Sequence, residues 1–190
     1  MTNYIKEFQN SLTEPLCEDI IENFEKENKF YGKTIGGINK DILDSSDFVF
    51  GSDTVNWKKT FEVLHKELSQ KIKVYISTLD CNTFSFTSMF NTNNFFIRKF
   101  LIKKYEKNKG KYQFHIDQLY MEDTKSKRII TFIWYLNSVE EGGGTAFKDN
   151  EIIKPTVGKL LLFPSTWTFP HSGCMPITSD KYVIVGWIED

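Results

Sequence analysis

Apolar residues recur at helical spacing in the first half of the chain and at strand spacing in the second. Leu16, Ile20, Ile21 and Phe24 form one stripe after Thr13-Glu-Pro-Leu. Thr13 can cap, Glu14 complements the helix dipole and Pro15 is tolerated in a first turn, so a helix is predicted up to about Asn28. Trp57, Phe61, Leu64, Leu68, Ile72, Tyr75 and Ile76 form a longer stripe, which predicts a second helix from Asn56 to about Leu79. His65, beside Leu64 and Leu68, reads as structural or solvent-facing rather than as a ligand. Residues 30–52 have no clean period and carry Gly32, Gly36, Gly37 and Gly51. They predict a long, partly mobile loop with one short strand at most; a lid over a substrate and plain surface disorder both fit. Residues 80–94, rich in Thr, Ser and Asn, read as irregular or edge-stranded.

From Phe95 onward the pattern is β. Candidate strands are Phe95–Tyr105, Tyr112–Asp117, Arg128–Leu136, Thr145–Phe147, Lys159–Phe163 and Tyr182–Ile188. Turn signals separate them at Asn108-Lys-Gly110, Gly142-Gly-Gly144, residues 155–158 and Ser172-Gly173. Short strands at this spacing suggest an antiparallel sandwich or barrel. Helices first and strands afterwards make an α+β order, mainly β. No repeat or low-complexity tract breaks the chain. One domain is expected over residues 1–190, with 1–94 as helical support and loop and 95–190 as the β core.

Charge narrows the function by exclusion. With 24 basic and 25 acidic residues and a net charge of −1, nothing argues for nucleic acid or an anionic membrane as partner. No apolar run reaches transmembrane length, and the first residues lack the apolar stretch of a signal peptide. Cys17, Cys81 and Cys174 are scattered and odd in number, against a disulfide framework and for a reducing cytosol. The wealth of Lys, Asn, Ile and Phe hints at an AT-rich genome, viral or marine bacterial. The expected location is therefore cytoplasmic, the host cytoplasm for a viral chain. The sequence sets no oligomeric state.

The candidate chemistry centres on Tyr112-Gln-Phe-His115-Ile-Asp117. On a strand, Tyr112, Phe114 and Ile116 share one face, and Gln113, His115 and Asp117 share the other. His171, far downstream, completes a 2-His-1-carboxylate pattern. Three such ligands leave three positions open, as non-haem Fe(II) sites require. A structural zinc site would close its shell, usually with sulfur, and no cysteine pair is spaced for that. Cys174, three residues after His171, offers a soft ligand, but ligands seldom cluster that way after a strand, and it is not counted in the set. Ten residues after His171, Lys181 opens a strand on which Lys181, Val183, Val185 and Trp187 share a face. A lysine facing inward there needs an anionic partner such as the carboxylate of a small organic acid; a solvated strand end is the other reading. Lys103, Lys104, Lys107, Lys109 and Lys111 read as a solvated basic face. Trp167, Phe169 and Pro170 shape a pocket mouth or pack in the core.

At these residues the chain resembles the Fe(II)- and 2-oxoglutarate-dependent dioxygenases, specifically the prolyl 4-hydroxylase type, over about residues 95–190. The resemblance implies that His115, Asp117 and His171 bind iron and that Lys181 binds the distal carboxylate of 2-oxoglutarate. Tyr105 matches the family's tyrosine on the preceding strand. Arg128-Ile-Ile-Thr131-Phe-Ile-Trp-Tyr135-Leu-Asn137 and Glu140-Glu-Gly-Gly-Gly-Thr145 match a further family segment. They imply that Thr145 and Tyr135 lie near 2-oxoglutarate, and that Arg128, Tyr112 and Trp187 border a prolyl substrate, with Arg128 and Trp187 orienting its ring. Arg128 and Tyr135 have opposite parity, so both face inward only across a bulge or strand end. Tyr112, opposite His115 by strict alternation, would reach a substrate only from the rim.

The implied fold is a double-stranded β-helix, or jelly roll, supported by N-terminal helices. The implied reaction is C4 hydroxylation of a peptidyl proline with Fe(II), 2-oxoglutarate and O2, with ascorbate as an optional reductant. The expected partner is a proline-containing peptide or protein, with no nucleic acid and no membrane. Three alternatives stand beside it. One is a hydroxylase of a free amino acid or other small molecule. Another is a non-catalytic cupin-like binding module, which would have no use for Lys181 with Tyr105. The third, a nucleic-acid demethylase, generally carries Arg where Lys181 stands, and the charge balance gives no backbone footprint.

Overall fold

A computed structural model describes residues 4–79, 97–122, 125–149 and 151–189. The chain opens with β1 (Lys6–Phe8), α1 (Glu14–Lys26), β2 (Phe30–Tyr31), β3 (Leu43–Asp44) and β4 (Ser46–Gly51). A single 3-10 turn, Val55–Trp57, leads into α2 (Lys58–Leu79). The strands that follow are β5 (Lys99–Tyr105), β6 (Lys111–His115), β7 (Tyr120–Met121), β8 (Ser126–Tyr135) and β9 (Thr145–Phe147). The last four are β10 (Ile152–Ile153), β11 (Leu160–Pro164), β12 (His171–Gly173) and β13 (Lys181–Glu189).

The strands form two antiparallel sheets. The larger runs β1-β11-β8-β13-β5-β4-β2, with β7 also on β8, and the smaller runs β10-β9-β12-β6-β3. This is the expected double-stranded β-helix. Strand β8 shows why its sequence reads as a nearly continuous apolar run: both of its faces are covered. Phe132 and Trp134 join the cluster shared with α1 and α2, whereas Ile133 and Tyr135 join a second cluster with Tyr105, Phe147, Phe163 and Val183. Trp134 and Tyr135 are fully buried. Truncating either to Ala would cost about 3–5 kcal/mol by the usual cost of aromatic cavities.

Both helices follow their apolar stripes. α1 buries Cys17, Ile20 and Phe24. α2 buries Phe61, Leu64, Leu68, Ile72, Tyr75, Ile76 and Leu79 against the outer face of the larger sheet. His65 lies on α2, its ring stacked 5.8 Å from that of Phe61. Thr13 is the N-cap residue of α1, but its side chain makes no capping hydrogen bond. No described helix is long and apolar enough to cross a membrane.

Three expectations are corrected. Residues 30–52 hold three short strands rather than one. β3 extends the smaller sheet beside β6, while β2 and β4 extend the larger one beyond β5. At two residues each, β2 and β3 are too short to show a period; β4, at six residues, is the one strand long enough to do so. Ser172-Gly173 is not a turn but part of β12, paired on both sides. Lys103 does not belong to the solvated basic face: it is 5% exposed and paired with Asp47 inside the barrel. The expectation for residues 80–94 falls outside the described residues.

Candidate metal centre and substrate cavity

His115 ends β6, Asp117 follows two residues later, and His171 begins β12 directly across from His115 in the ladder. One ligand atom from each of the three lies within 4.8 Å of the others. The orientation of both imidazoles is fixed from behind. His115 Nδ1–H donates to the Gln113 carbonyl at 2.8 Å, and His171 Nδ1–H donates to the Phe169 carbonyl at 3.1 Å. A carbonyl only accepts, so each Nδ1 carries the proton and each Nε2 keeps its lone pair for the interior. The two Nε2 atoms lie 3.5 Å from Asp117, one facing each carboxylate oxygen.

The charge states suit ligation. Burial pushes the His171 imidazole down to about 4, against the opposing pull of Asp117, so it is neutral at physiological pH. Burial alone would raise the Asp117 carboxyl. His115 and His171, when protonated, and the Thr131 hydroxyl instead hold it well below the usual carboxylate range. Thr131 Oγ1 donates to Asp117 Oδ2 at 2.8 Å, and the Ser165 hydroxyl lies 2.9 Å from Thr131. Both hydroxyls are buried. The sequence marks Thr131 only as a position of the matched segment that shares strand parity with Tyr135, and does not mark Ser165.

The triad opens into a cavity of about 330 Å³ between the two sheets. Lys181 lies at one end, 2% exposed. Its Nζ donates to the Gly143 carbonyl at 2.8 Å and sits 4.3 Å from the centre of the Tyr105 ring. Gly143 has φ +68°, a left-handed conformation that glycine adopts without strain and that helps to aim this carbonyl. Among the described residues no carboxylate pairs with Lys181. Burial pushes its ammonium down to about 8, with Cys174 opposing the shift. Thr145 and Tyr105 line the same cavity. Tyr135 stands behind Thr145, its hydroxyl 2.6 Å from Thr145 Oγ1, and reaches the cavity only through that contact.

Arg128 and Trp187 lie towards the metal ligands. The guanidinium stacks 3.5 Å from the centre of the indole ring. Arg128 Nε and Trp187 Nε1 are both buried without a hydrogen-bond partner. Arg128 and Tyr135 share the inward side because β8 carries one extra residue. Ile188 pairs with Ile130 but Glu189 pairs with Arg128, leaving Ile129 as a bulge. A second bulge overturns the expectation for Tyr112. His171 pairs with His115, yet Gly173 pairs with Tyr112, so β6 also carries an extra residue. Parity is thereby reset, and the Tyr112 ring stacks flat on His115, 3.5 Å between centres at 17°. The supposed apolar face is broken up: Phe114 and Ile116 are 57% and 47% exposed, and Tyr112 and Ile116 line the cavity while Phe114 does not.

Other candidates fall around this centre. Cys174 is no part of the ligand cluster. Trp167 is exposed at the surface, while Phe169 packs on the inner core and on Tyr4. Lys33, Thr34 and Ile35, from the segment between β2 and β3, line the cavity mouth.

Comparison with known proteins agrees with this geometry. Residues 100–189 match the model of the 2OG-Fe(II) oxygenase superfamily. A PKHD-type hydroxylase from Synechococcus sp. (strain CC9311) is 33% identical over 96 residues, 49% of this chain and 42% of that protein. Prolyl 4-hydroxylase subunit alpha-3 from Mus musculus is 36% identical over 73 residues, 33% of this chain and 13% of that protein. The chain thus matches less than half the length of these curated relatives. Among solved structures, a viral collagen prolyl hydroxylase from Paramecium Bursaria Chlorella virus-1, in its 2OG complex, superposes with a TM-score of 0.71. It is 18% identical, covering 98% of this chain and 96% of that one. A Trichoplax adhaerens prolyl hydroxylase, solved with a hypoxia inducible factor peptide fragment, gives a TM-score of 0.69. It is 21% identical, with 100% and 84% coverage. At these identities the structural likeness establishes the fold.

Proposed function

With residues 100–189 matching the model of the 2OG-Fe(II) oxygenase superfamily, we propose that this chain is such an oxygenase and hydroxylates a prolyl residue in a peptide or protein. The observation that carries the reading is one cavity holding two kinds of site. Three metal-ligand atoms lie within 4.8 Å of one another, and a buried ammonium without an anion, Lys181, lines the same walls. Two imidazoles and one carboxylate fit Fe(II) and leave positions open for further ligands. Bound there with 2-oxoglutarate and O2, the metal would supply oxidative decarboxylation of the co-substrate to succinate and carbon dioxide, coupled to insertion of one oxygen atom into a C–H bond.

The residues of the chain divide the remaining work. His115 Nε2, Asp117 and His171 Nε2 would hold the metal. Lys181 would pair with the distal carboxylate of the co-substrate, replacing the lost hydration of its ammonium with an opposite charge. Tyr105 and the Thr145 hydroxyl would bound that carboxylate, with Tyr135 fixing Thr145. Arg128 and Trp187 present, among the described residues, two unpartnered buried N–H groups on the other side of the site. Carbonyl oxygens of an extended peptide would satisfy both, and the stacked pair would give the prolyl ring a flat wall. Arrangement of this kind lowers a barrier mainly by fixing the reacting groups before the chemistry begins.

Relatives named as prolyl hydroxylases favour proline over a free amino acid. The test is anaerobic loading with Fe(II) and 2-oxoglutarate, followed by oxygen and mass spectrometry of proline-containing peptides. A gain of one oxygen atom on proline supports the reading. Succinate formation coupled only to free amino acids would replace it with the small-molecule reading.

A further inference from the structure

A second buried ammonium lines the cavity. Lys103 is 5% exposed and lies on the inward face of β5. Tyr105, two residues on, is directly opposite Lys181 in the ladder, and Lys103 is opposite Val183. Lys103 and Lys181 are therefore diagonal neighbours on one face. At this register Cβ atoms stand roughly 7–8 Å apart or less, within reach of long side chains. Lys103 Nζ donates to Asp47 Oδ2 at 2.5 Å, and Asp47 Oδ1 accepts from Ser45 at 2.7 Å. A lysine has three donors, and this bond uses one.

The pair is hard to explain as a device for stability. Taking two charges out of water roughly cancels their attraction, and apolar residues would close the same wall equally well. An ammonium placed beside an anion-seeking lysine, with donors to spare, is suited to an anionic ligand. We propose that Lys103 is a second binding group for the distal carboxylate of the co-substrate, with Asp47 as the counter-ion that holds it in the absence of ligand. The inference rests on the co-substrate reading of Lys181 given above, which it deepens. It makes the cavity selective for 2-oxo acids that end in a carboxylate, through two cations rather than one.

The test compares equilibrium binding of 2-oxoglutarate and 2-oxopentanoate to the Mn(II)-loaded protein without oxygen. The second ligand keeps the chelating end but finishes in a methyl group, so the ratio of the two affinities isolates the distal carboxylate. Lys181→Met should collapse the ratio; an unchanged ratio there would overturn the reading of the site itself. Lys103→Met should lower the ratio roughly tenfold, the value of one charge-assisted hydrogen bond. Asp47→Asn, which releases the ammonium, should raise it and decides the matter if Lys103→Met does not fold. If Lys181→Met collapses the ratio while Lys103→Met weakens both ligands equally, or Asp47→Asn leaves the ratio unchanged, Lys103 is only structural and the proposal fails.

Discussion

Thr131 Oγ1 donates a 2.8 Å hydrogen bond to Asp117 Oδ2, tying a residue in the middle of β8 to a metal ligand that lies beyond the end of β6. With the Thr131 proton spent on the carboxylate, the Ser165 hydroxyl must be the donor in its 2.9 Å contact with Thr131. The carboxylate is thus held at one oxygen by a two-hydroxyl chain rooted in the larger sheet. Its other oxygen faces His115.

Thr131→Val keeps the shape of the side chain and removes the bond. Outer-shell partners of metal ligands typically contribute 10–100-fold to metal affinity, so a loss of about tenfold is expected. Ser165→Ala should cost less, because it leaves the direct bond intact. Calorimetric titration with Mn(II) measures both. An affinity unchanged in Thr131→Val would remove this residue from the account of the metal centre.

Lys181→Met should weaken 2-oxoglutarate binding towards that of a 2-oxo acid without the distal carboxylate, and yet stabilise the ligand-free protein near neutral pH. The ammonium is pushed from 10.5 down to about 8 by burial, so the folded state binds its proton less well than the unfolded chain does. Below about pH 8 that mismatch costs stability; between about 8 and 10.5 the cost is recovered as the folded state gives up the proton. Replacing the charge should release up to roughly 3 kcal/mol at pH 7. Urea unfolding of both proteins at pH 7 and pH 10 is the check, with the difference shrinking at the higher pH.

The same group sets the pH dependence of co-substrate affinity. Below about pH 8 Lys181 carries its charge and affinity should be flat. Above it, binding must first restore the proton, so affinity should fall by up to tenfold per pH unit. Binding measured at high pH in buffers of different ionisation enthalpy should reveal proton uptake. A flat profile to pH 10 would mean that the ammonium is not the partner of the carboxylate.

Arg128→Lys retains the charge but loses the planar group that lies on Trp187. The two cations are not interchangeable at a stacked site. The KM for a peptide substrate should rise about tenfold, within the range of a desolvated cation–π contact, while 2-oxoglutarate binding stays as it was. Loss of both together would point to collapse of the cavity instead.

Much of this site can be read in the chain because its signals are local or strongly periodic. The α2 stripe is a long helical repeat with one buried face, and its residues are those the fold buries. His115 and Asp117 stand two apart in sequence, at and just beyond the end of β6, and Lys181 opens β13 on the wall of the same cavity. What escaped reading depends on register or on distant partners. Parity placed Tyr112 on the wrong face, since one inserted residue in β6 reverses every inference drawn across it. Lys103 looked like one of five solvated lysines, because its partner Asp47 is 56 positions away and nothing local marks the pair. Strands β2 and β3, two residues each, exist only as additions to sheets built by later parts of the chain.

The central claim is that His115, Asp117 and His171 form one metal centre serving the Lys181 cavity. It is tested most directly by succinate formation from 2-oxoglutarate, assayed with and without Fe(II), in the unaltered protein and in His171→Ala. Iron-dependent succinate should form in the first and be absent in the second. Succinate formed at an undiminished, iron-dependent rate by His171→Ala would place the iron elsewhere and contradict the assignment.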